Sequence, residues 1–484
     1  MLREAYRGKK VLLTGGTGFL GTALVEKILR SLPELGRLYL LIRRSREKGA
    51  TERFVKDMLG SAAFRRLREE LGEGFEGYVS EKVRVLEGDV HAPGLGLPEG
   101  ELDELSREAD VVIHSAASVV FDAPLDAALD ANVRGTLGLL RLARGWEKRP
   151  TFVHVSTAYV AGTRKGIIPE EPPDSSSPNG TPLNPEAEVR ALEAAIEEVE
   201  RASRERSLTR RFTEEARREL GMVGGEDEVA QRAEMLRRAW VRERLVEKGN
   251  ERARELGWHD VYTFTKSLAE RLVLRERSET PVVIVRPAII ESSVAEPYPG
   301  WIQGSRMADP IIMAFAKGVL REFPGDPNSL VDIVPVDHVV NAILAAAIRR
   351  PAEPEVLHVA SGERNPLRYR DLYDHVRDYF VENPLRDSGG RPVSVAEWSF
   401  PGRKSVERRL KAELVGLGIA GKIVSRLPEG HMVADARQRI ARAEKRARMS
   451  LYYSRIYGAY GEMASTFSTK RLKALHDSLA PEDR

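Results

Sequence analysis

Cysteine is absent from all 484 residues, which excludes disulfides, thiolate nucleophiles, cysteine metal sites and a covalent acyl-cysteine intermediate. Long apolar runs are missing too, since no stretch reaches the roughly eighteen residues that cross a bilayer. Charge of one sign is scarce: 76 Lys and Arg face 73 Asp and Glu, a formal net of +3. So small a net charge gives no nucleic-acid footprint, although local basic clusters remain available to a phosphorylated substrate. The nine histidines show no His-x-x-x-His or related spacing, so no metal site is expected. Lys9 and Lys10 lead straight into Val11-Leu12-Leu13, which leaves no room for a signal peptide and makes a cytoplasmic location the expectation. With 31% charged and 42% hydrophobic residues over this length, the chain reads as a soluble globular protein of two or three domains.

Apolar strand candidates recur at 10–14, 38–42, 83–86, 111–114, 152–155 and 281–285, with helical stretches between them. That alternation predicts an α/β, doubly wound parallel sheet of Rossmann type, whose ligands lie at the strands' carboxyl ends. Polar clusters fall at those ends: Asp89-Val90, Ser115-Ala116-Ala117, Ser156-Thr157 and Arg286-Pro287. Residues 169–185 lose both periods and read as a loop. The charged stretch from about 186 to 256 has helical periodicity and is read as a solvated pair of helices covering the sheet edge, with a lid or partner-binding arm as the functional alternative. The sequence is thus divided into a cofactor-binding domain at 1–290 carrying that insertion, a substrate-binding segment with a returning strand-helix unit at 291–367, and a smaller helical carboxyl-terminal domain at 368–484.

Gly15, Gly18 and Gly21 follow a strand and open a helix, a context that makes Thr14, Gly15, Thr17, Gly18, Phe19, Leu20 and Gly21 a pyrophosphate cradle. At the end of the second strand, where an acidic residue would meet a ribose 2′-hydroxyl, stand Arg43 and Arg44. Arginines suit a 2′-phosphate, so the cofactor expected is NADPH. Asp89 is placed to meet the adenine. Tyr262 and Lys266 stand one helical turn apart, so an ammonium can act on a phenol whose ordinary pKa of about 10 suits neither acid nor base work at neutral pH. Ser156 and Thr157 are adjacent strand-end hydroxyls, and spacing does not choose between them as the third catalytic group. Asn132 reads as a buried, hydrogen-bonded helix residue. Met307, Ile311, Ile312, Met313 and Phe315 form a candidate wall for an acyl tail, against a bland alternative in which that helix is core.

In order along the chain, Thr14-Gly-Gly-Thr-Gly-Phe-Leu-Gly21, His154-Val-Ser-Thr-Ala-Tyr-Val160, Tyr262-Thr-Phe-Thr-Lys266, Val285-Arg-Pro-Ala-Ile-Ile-Glu-Ser292, Glu296-Pro-Tyr-Pro-Gly-Trp301 and Asp332-Ile-Val-Pro-Val-Asp337 resemble the extended short-chain dehydrogenase/reductases and, more narrowly, the male-sterility-type fatty acyl-CoA reductases. The resemblance implies reduction of a long-chain acyl-CoA, or acyl-carrier-protein thioester, to an aldehyde and on to the primary alcohol. It also implies that Tyr262 donates the proton, Lys266 lowers its pKa and binds the nicotinamide ribose, and Thr157 orients the oxygen. Rival readings are an extended reductase or epimerase acting on a nucleotide sugar or sterol, and an idle NADP(H)-binding regulator. The carboxyl-terminal region matches only through its tyrosines and Phe467–Leu472. Its basic helices leave a peripheral contact with an anionic membrane open, as they leave a homodimer.

Overall fold

The computed structural model describes the chain apart from residues 1, 222–223, 305–307, 319, 321, 324, 388, 396, 398, 429, 459 and 484. Its strands are β1 (Lys10–Thr14), β2 (Arg37–Ile42), β3 (Val83–Glu87), β4 (Val111–His114), β5 (Thr151–Val155), β6 (Gly166–Ile168), β7 (Val282–Pro287), β8 (Ile289–Glu291), β9 (Ile333–Pro335), β10 (Glu355–Val359) and β11 (Ser465–Phe467). The helices that position the site are α1 (Phe19–Ser31), α2 (Pro185–Ala202), α3 (Arg206–Leu220), α4 (Glu226–Glu255), α5 (Val261–Glu276), α6 (Asp309–Ala316), α7 (Val336–Ala347), α8 (Tyr369–Glu382), α9 (Arg403–Val424), α10 (His431–Tyr457) and α11 (Lys470–Ser478).

Seven strands form one parallel sheet in the order β10-β7-β5-β4-β1-β2-β3. Because successive side chains alternate faces, each strand feeds two cores. Val11, Leu13, Leu38, Leu40 and Ile113 pack with α1 and α7 on one side. Leu12, Tyr39, Leu41, Val112 and Phe152 pack with α5 and the inserted helices on the other. Both faces are covered, which is why the strands read as continuous apolar runs.

Three helices, α2, α3 and α4, occupy the inserted stretch, not the expected pair, with breaks at Ser203–Glu205 and before Gly225. They stack on α5 and not along the sheet edge: Leu192, Val199, Val241 and Leu245 share a core with Phe264 and Leu268 of α5. The carboxyl-terminal stretch is not helical throughout either. Strand β11 pairs in parallel with β6, and Glu170 accepts from Leu472 N at 3.1 Å near the start of α11 and from His358 N at 2.9 Å on β10. One carboxylate thus pins α11 to the edge strand β10 of the sheet.

Candidate active site

A cavity of about 600 Å³ lies where β1, β4 and β5 end. The order of the sheet reverses across β1 and β4 there, the position at which doubly wound sheets take ligands. Thr14 closes β1, and Gly15 turns the chain at φ +76°, where a Cβ would meet Ala116 N at 2.6 Å. A Cβ on Gly21 would collide with the Gly15 carbonyl. The bare turn lets a ligand's backbone-sized groups approach the first amides of α1. Thr17, Gly18, Phe19 and Leu20 complete this wall, with Asp89, Val90 and the Ser115–Ala117 loop opposite.

The expected cationic end is only half as predicted. Arg43 lines the cavity, but Arg44 does not: it projects into solvent 3.9 Å from Glu87. Adjacent residues at a strand end point to opposite sides, so a pair of arginines delivers one. The second cation is Arg53, which lines the cavity, donates to Thr17 Oγ1 at 3.3 Å and also bonds the Arg43 carbonyl. Its place ten residues downstream, in a stretch that reads as surface, hid it from sequence reasoning. Asp89 accepts from His91 N at 3.0 Å and pairs with its imidazole at 2.5 Å, which together with Arg43 holds the carboxyl below its ordinary range despite partial burial.

At the other end, Asp260 caps α5 by accepting from Thr263 N at 2.8 Å and presents Tyr262 to the cavity. The hundred residues between Thr157 and Tyr262 are closed by the insertion. It runs out along α2 and returns along α4, and Trp258 then docks its indole on the Val160 carbonyl at 2.9 Å, beside Thr157. Tyr262 and Thr157 both line the cavity there, Thr157 Oγ1 donating to the Pro287 carbonyl at 3.4 Å and the Phe121 ring packing edge-on to Tyr262 at 5.9 Å. Burial, with the Asp260 carboxylate, pushes the phenol well above its ordinary range, and only the neighbouring Thr157 hydroxyl opposes it. Ser156 also lines the cavity, its hydroxyl without a partner among the described residues.

Lys266 and Arg286 stand apart from the cavity walls. The Lys266 ammonium is buried and donates to the Val155 carbonyl at 2.8 Å. Burial lowers it to about 8, with Glu270 acting in the opposite sense. Lys266 is not among the groups acting on the Tyr262 phenol, which burial and Asp260 raise. Arg286 was expected beside the cofactor with Pro287. Pro287 does line the cavity, whereas Arg286 turns to the opposite face of β7 and forms a buried ion pair with Glu270 at 2.6 Å.

Asn132 is buried as expected. It accepts from Ser118 N at 2.9 Å and donates to Thr265 Oγ1 at 3.0 Å, joining the 115–118 loop to α5. A chain of buried bonds continues from Thr14 Oγ1 to His114 at 2.8 Å, on to Thr136 at 3.0 Å and to the Asn132 carbonyl at 2.8 Å. His114 is kept neutral by burial and by Lys266, its pKa brought to about 3.

Ile289 and Tyr460 belong both to this cavity and to a second, apolar one of about 60 Å³. Ile311, Ile312, Phe323, Tyr369 and Tyr373 wall the second. Of the tail-binding residues expected on α6, Ile311 and Ile312 face it, Phe315 is core against Tyr373 at 5.5 Å, Met313 is exposed and Met307 lies outside the described residues. Tyr460 was legible only as one of several carboxyl-terminal tyrosines. Its hydroxyl donates to Asp260 Oδ2 at 2.5 Å, so the chain's end reaches the cap of the helix that carries Tyr262.

The Glu296–Trp301 motif lines neither cavity. Trp301 stacks on Phe19 at 5.2 Å, Glu296 pairs with Lys27 and with Arg30 at 3.0 Å, and Asp337 accepts from Ala295 N at 2.8 Å. The motif fastens a loop behind the glycine turn.

Residues 13–343 match the family model described as male sterility protein. The chain is 36% identical over 396 residues to fatty acyl-CoA reductase 2, chloroplastic, of Arabidopsis thaliana, covering 80% of itself and 60% of that protein. It is 35% identical over 399 residues to the alcohol-forming fatty acyl-CoA reductase of Simmondsia chinensis, covering 81% of itself and 74% of that protein. The chain therefore spans about 60% and about three quarters of the lengths of these two relatives. In fold it is similar to the terminal R domain of the myxalamid PKS-NRPS pathway, with a TM-score of 0.56, 19% identity, and coverage of 97% of this chain and 85% of that one.

Proposed function

The chain belongs to the male sterility protein family, that of the fatty acyl-CoA reductases, and on that premise we propose that it reduces a long-chain acyl thioester, with NADPH as reductant, to the aldehyde and on to the primary alcohol. The observation that carries this reading is one cavity with a glycine cradle at one end, Tyr262 and Thr157 at the other, and an apolar cavity adjoining through Ile289 and Tyr460. Gly15 and Gly21, where a Cβ would strike backbone, fit a pyrophosphate. The glycine turn with Arg43 and Arg53 would hold NADPH, which would supply the hydride for the thioester carbonyl carbon. Tyr262, whose raised phenol keeps its proton at neutral pH, donates it to the carbonyl oxygen. Thr157 shares the negative charge that develops on that oxygen, and Lys266 contributes a buried positive charge beneath. The resulting hemithioacetal separates into aldehyde and thiol, and an aldehyde retained in the cavity presents its oxygen to the same two hydroxyls, where the hydride of a second NADPH would carry it to the alcohol. The test is product analysis after incubation with palmitoyl-CoA and NADPH: aldehyde or alcohol supports the reading, while turnover of UDP-glucose instead removes it.

Arg43 and Arg53 are the proposed contacts of the 2′-phosphate. Replacing both with Ala is expected to lower kcat/KM for NADPH by about tenfold to a hundredfold, since hydrogen bonds to charged groups are worth about 1.5–3 kcal/mol, with little effect on NADH. Equal losses for both cofactors would remove the assignment. The acyl tail is proposed to run past Ile289 toward Ile312. Ile312→Trp is expected to depress turnover of long chains by at least about tenfold while sparing short ones, because each methylene denied burial forfeits about 0.8 kcal/mol. A chain-length series of acyl-CoA substrates measures this.

A further inference from the structure

Helices α9 and α10 form a hairpin whose base is tied to the body and whose remainder stands free. Val406, Leu410, Ala447 and Leu451 make a small core at the base, and Arg409 pairs there with Glu322. Among the described residues from 411 to 446, none is buried. At 1.5 Å per residue, α9 alone projects about 20 Å beyond Leu410.

This projection is polarised in both charge and hydropathy. Residues 403–457 hold fourteen Lys and Arg against five Asp and Glu, a net +9 in a chain whose total is +3, so the rest of the molecule is net −6. At 100° per residue, Lys404, Arg408, Lys411, Val415, Ile419, Lys422 and Ile423 fall within an arc of about 120°, and all are exposed. The two acids of α9, Glu407 and Glu413, fall outside that arc. Val415, Ile419 and Ile423 are 65%, 56% and 58% exposed, and the turn adds Leu427 and Met432 at 48% and 86%. A solvated helix face carries no such stripe, and a nucleic-acid face has no use for its apolar centre.

We propose that this hairpin docks on an anionic lipid surface, its apolar stripe entering the interface and its flanking lysines and arginines meeting lipid phosphates. Two observations single out lipid. On one exposed side of α9, Lys404, Arg408 and Lys411 precede Val415 and Ile419 and Lys422 follows them, so basic residues flank the apolar stripe along the axis, the pattern of an interfacial helix. The hairpin base also joins the wall of the apolar cavity, since Ile311 and Phe323 line both that cavity and the groove against Val406 and Leu410. Docked this way, the mouth for an acyl tail lies beside its source. No described helix is long and apolar enough to cross a membrane, so the contact is peripheral.

Flotation of the full-length chain with phosphatidylcholine vesicles, with and without phosphatidylglycerol, tests this. Wild type is expected to float with the anionic vesicles and not with the neutral ones, and to be released as salt rises. Ile419→Glu with Ile423→Glu, and Lys404→Glu with Lys411→Glu and Lys422→Glu, are each expected to weaken partitioning at least about tenfold. These exposed substitutions should leave the circular dichroism melt and NADPH oxidation with a water-soluble short-chain acyl-CoA unchanged. Failure of wild type to float, equal flotation of wild type and variants, or capture of the hairpin by an acidic carrier protein without lipid binding would overturn the proposal. Flotation reads no turnover, so it stands or falls separately from the reaction assigned above.

Discussion

Tyr262→Phe is expected to lower kcat for thioester reduction by about 10²–10⁴-fold, the range that a positioned proton donor contributes, with KM for NADPH unchanged. The selectivity of this loss follows from the site's construction. Phe keeps the ring that packs against Phe121 and the backbone that Asp260 caps, so the fold, the cavity and the glycine cradle persist. What disappears is a single hydroxyl facing the cavity, which holds its proton because burial and Asp260 both disfavour the phenolate. Thr157→Val should remove the charge-sharing partner while leaving the donor, with a loss of about 10²–10³-fold. Cofactor fluorescence titrated with each variant separates binding from chemistry. Full turnover in Tyr262→Phe would remove Tyr262 as donor, and a larger loss in Ser156→Ala than in Thr157→Val would move the second role to the neighbouring hydroxyl.

The sheet and the glycine turn are legible because they are local. Each central strand is a short apolar run between polar ends, and Gly15 and Gly21 are required by collisions within a few residues of themselves or with the next strand's end. Pairing Tyr262 with Thr157 needs knowledge of the motif, since three helices intervene and nothing in their charge pattern says where they deliver the chain. Gly221 at φ +65° and Gly225 before α4 carried a readable signal for a third helix. The reach of Tyr460 had none, because a three-residue strand pairing with another about three hundred residues away has no period to detect. Arg44 and Arg286 fail for one reason: a motif names neighbours along the chain, while a strand sends neighbours to opposite faces.

Glu270→Gln is expected to destabilise the protein by about 3–5 kcal/mol, the cost of leaving one member of a buried ion pair without its partner. Arg286 donates to both Glu270 oxygens, and the two side chains are 5% and 0% exposed. An amide there cannot balance the guanidinium, whose remaining partners are the Glu171 carbonyl at 3.1 Å and the neutral His358 ring. Removing both charges with Glu270→Gln and Arg286→Met should recover most of the loss, as a chemical denaturation series would show. The double variant also decides where Arg286 acts: a cofactor contact would raise KM for NADPH, whereas a buried strut leaves it unchanged. The single variant carries a second signature through Lys266. Glu270 favours the charged lysine against a burial that already brings it to about 8. Without that carboxylate the ammonium gives up its proton at lower pH, so the alkaline fall in kcat should move toward neutrality in Glu270→Gln. An alkaline limb that does not move would mean that the charge on Lys266 plays no part in the rate.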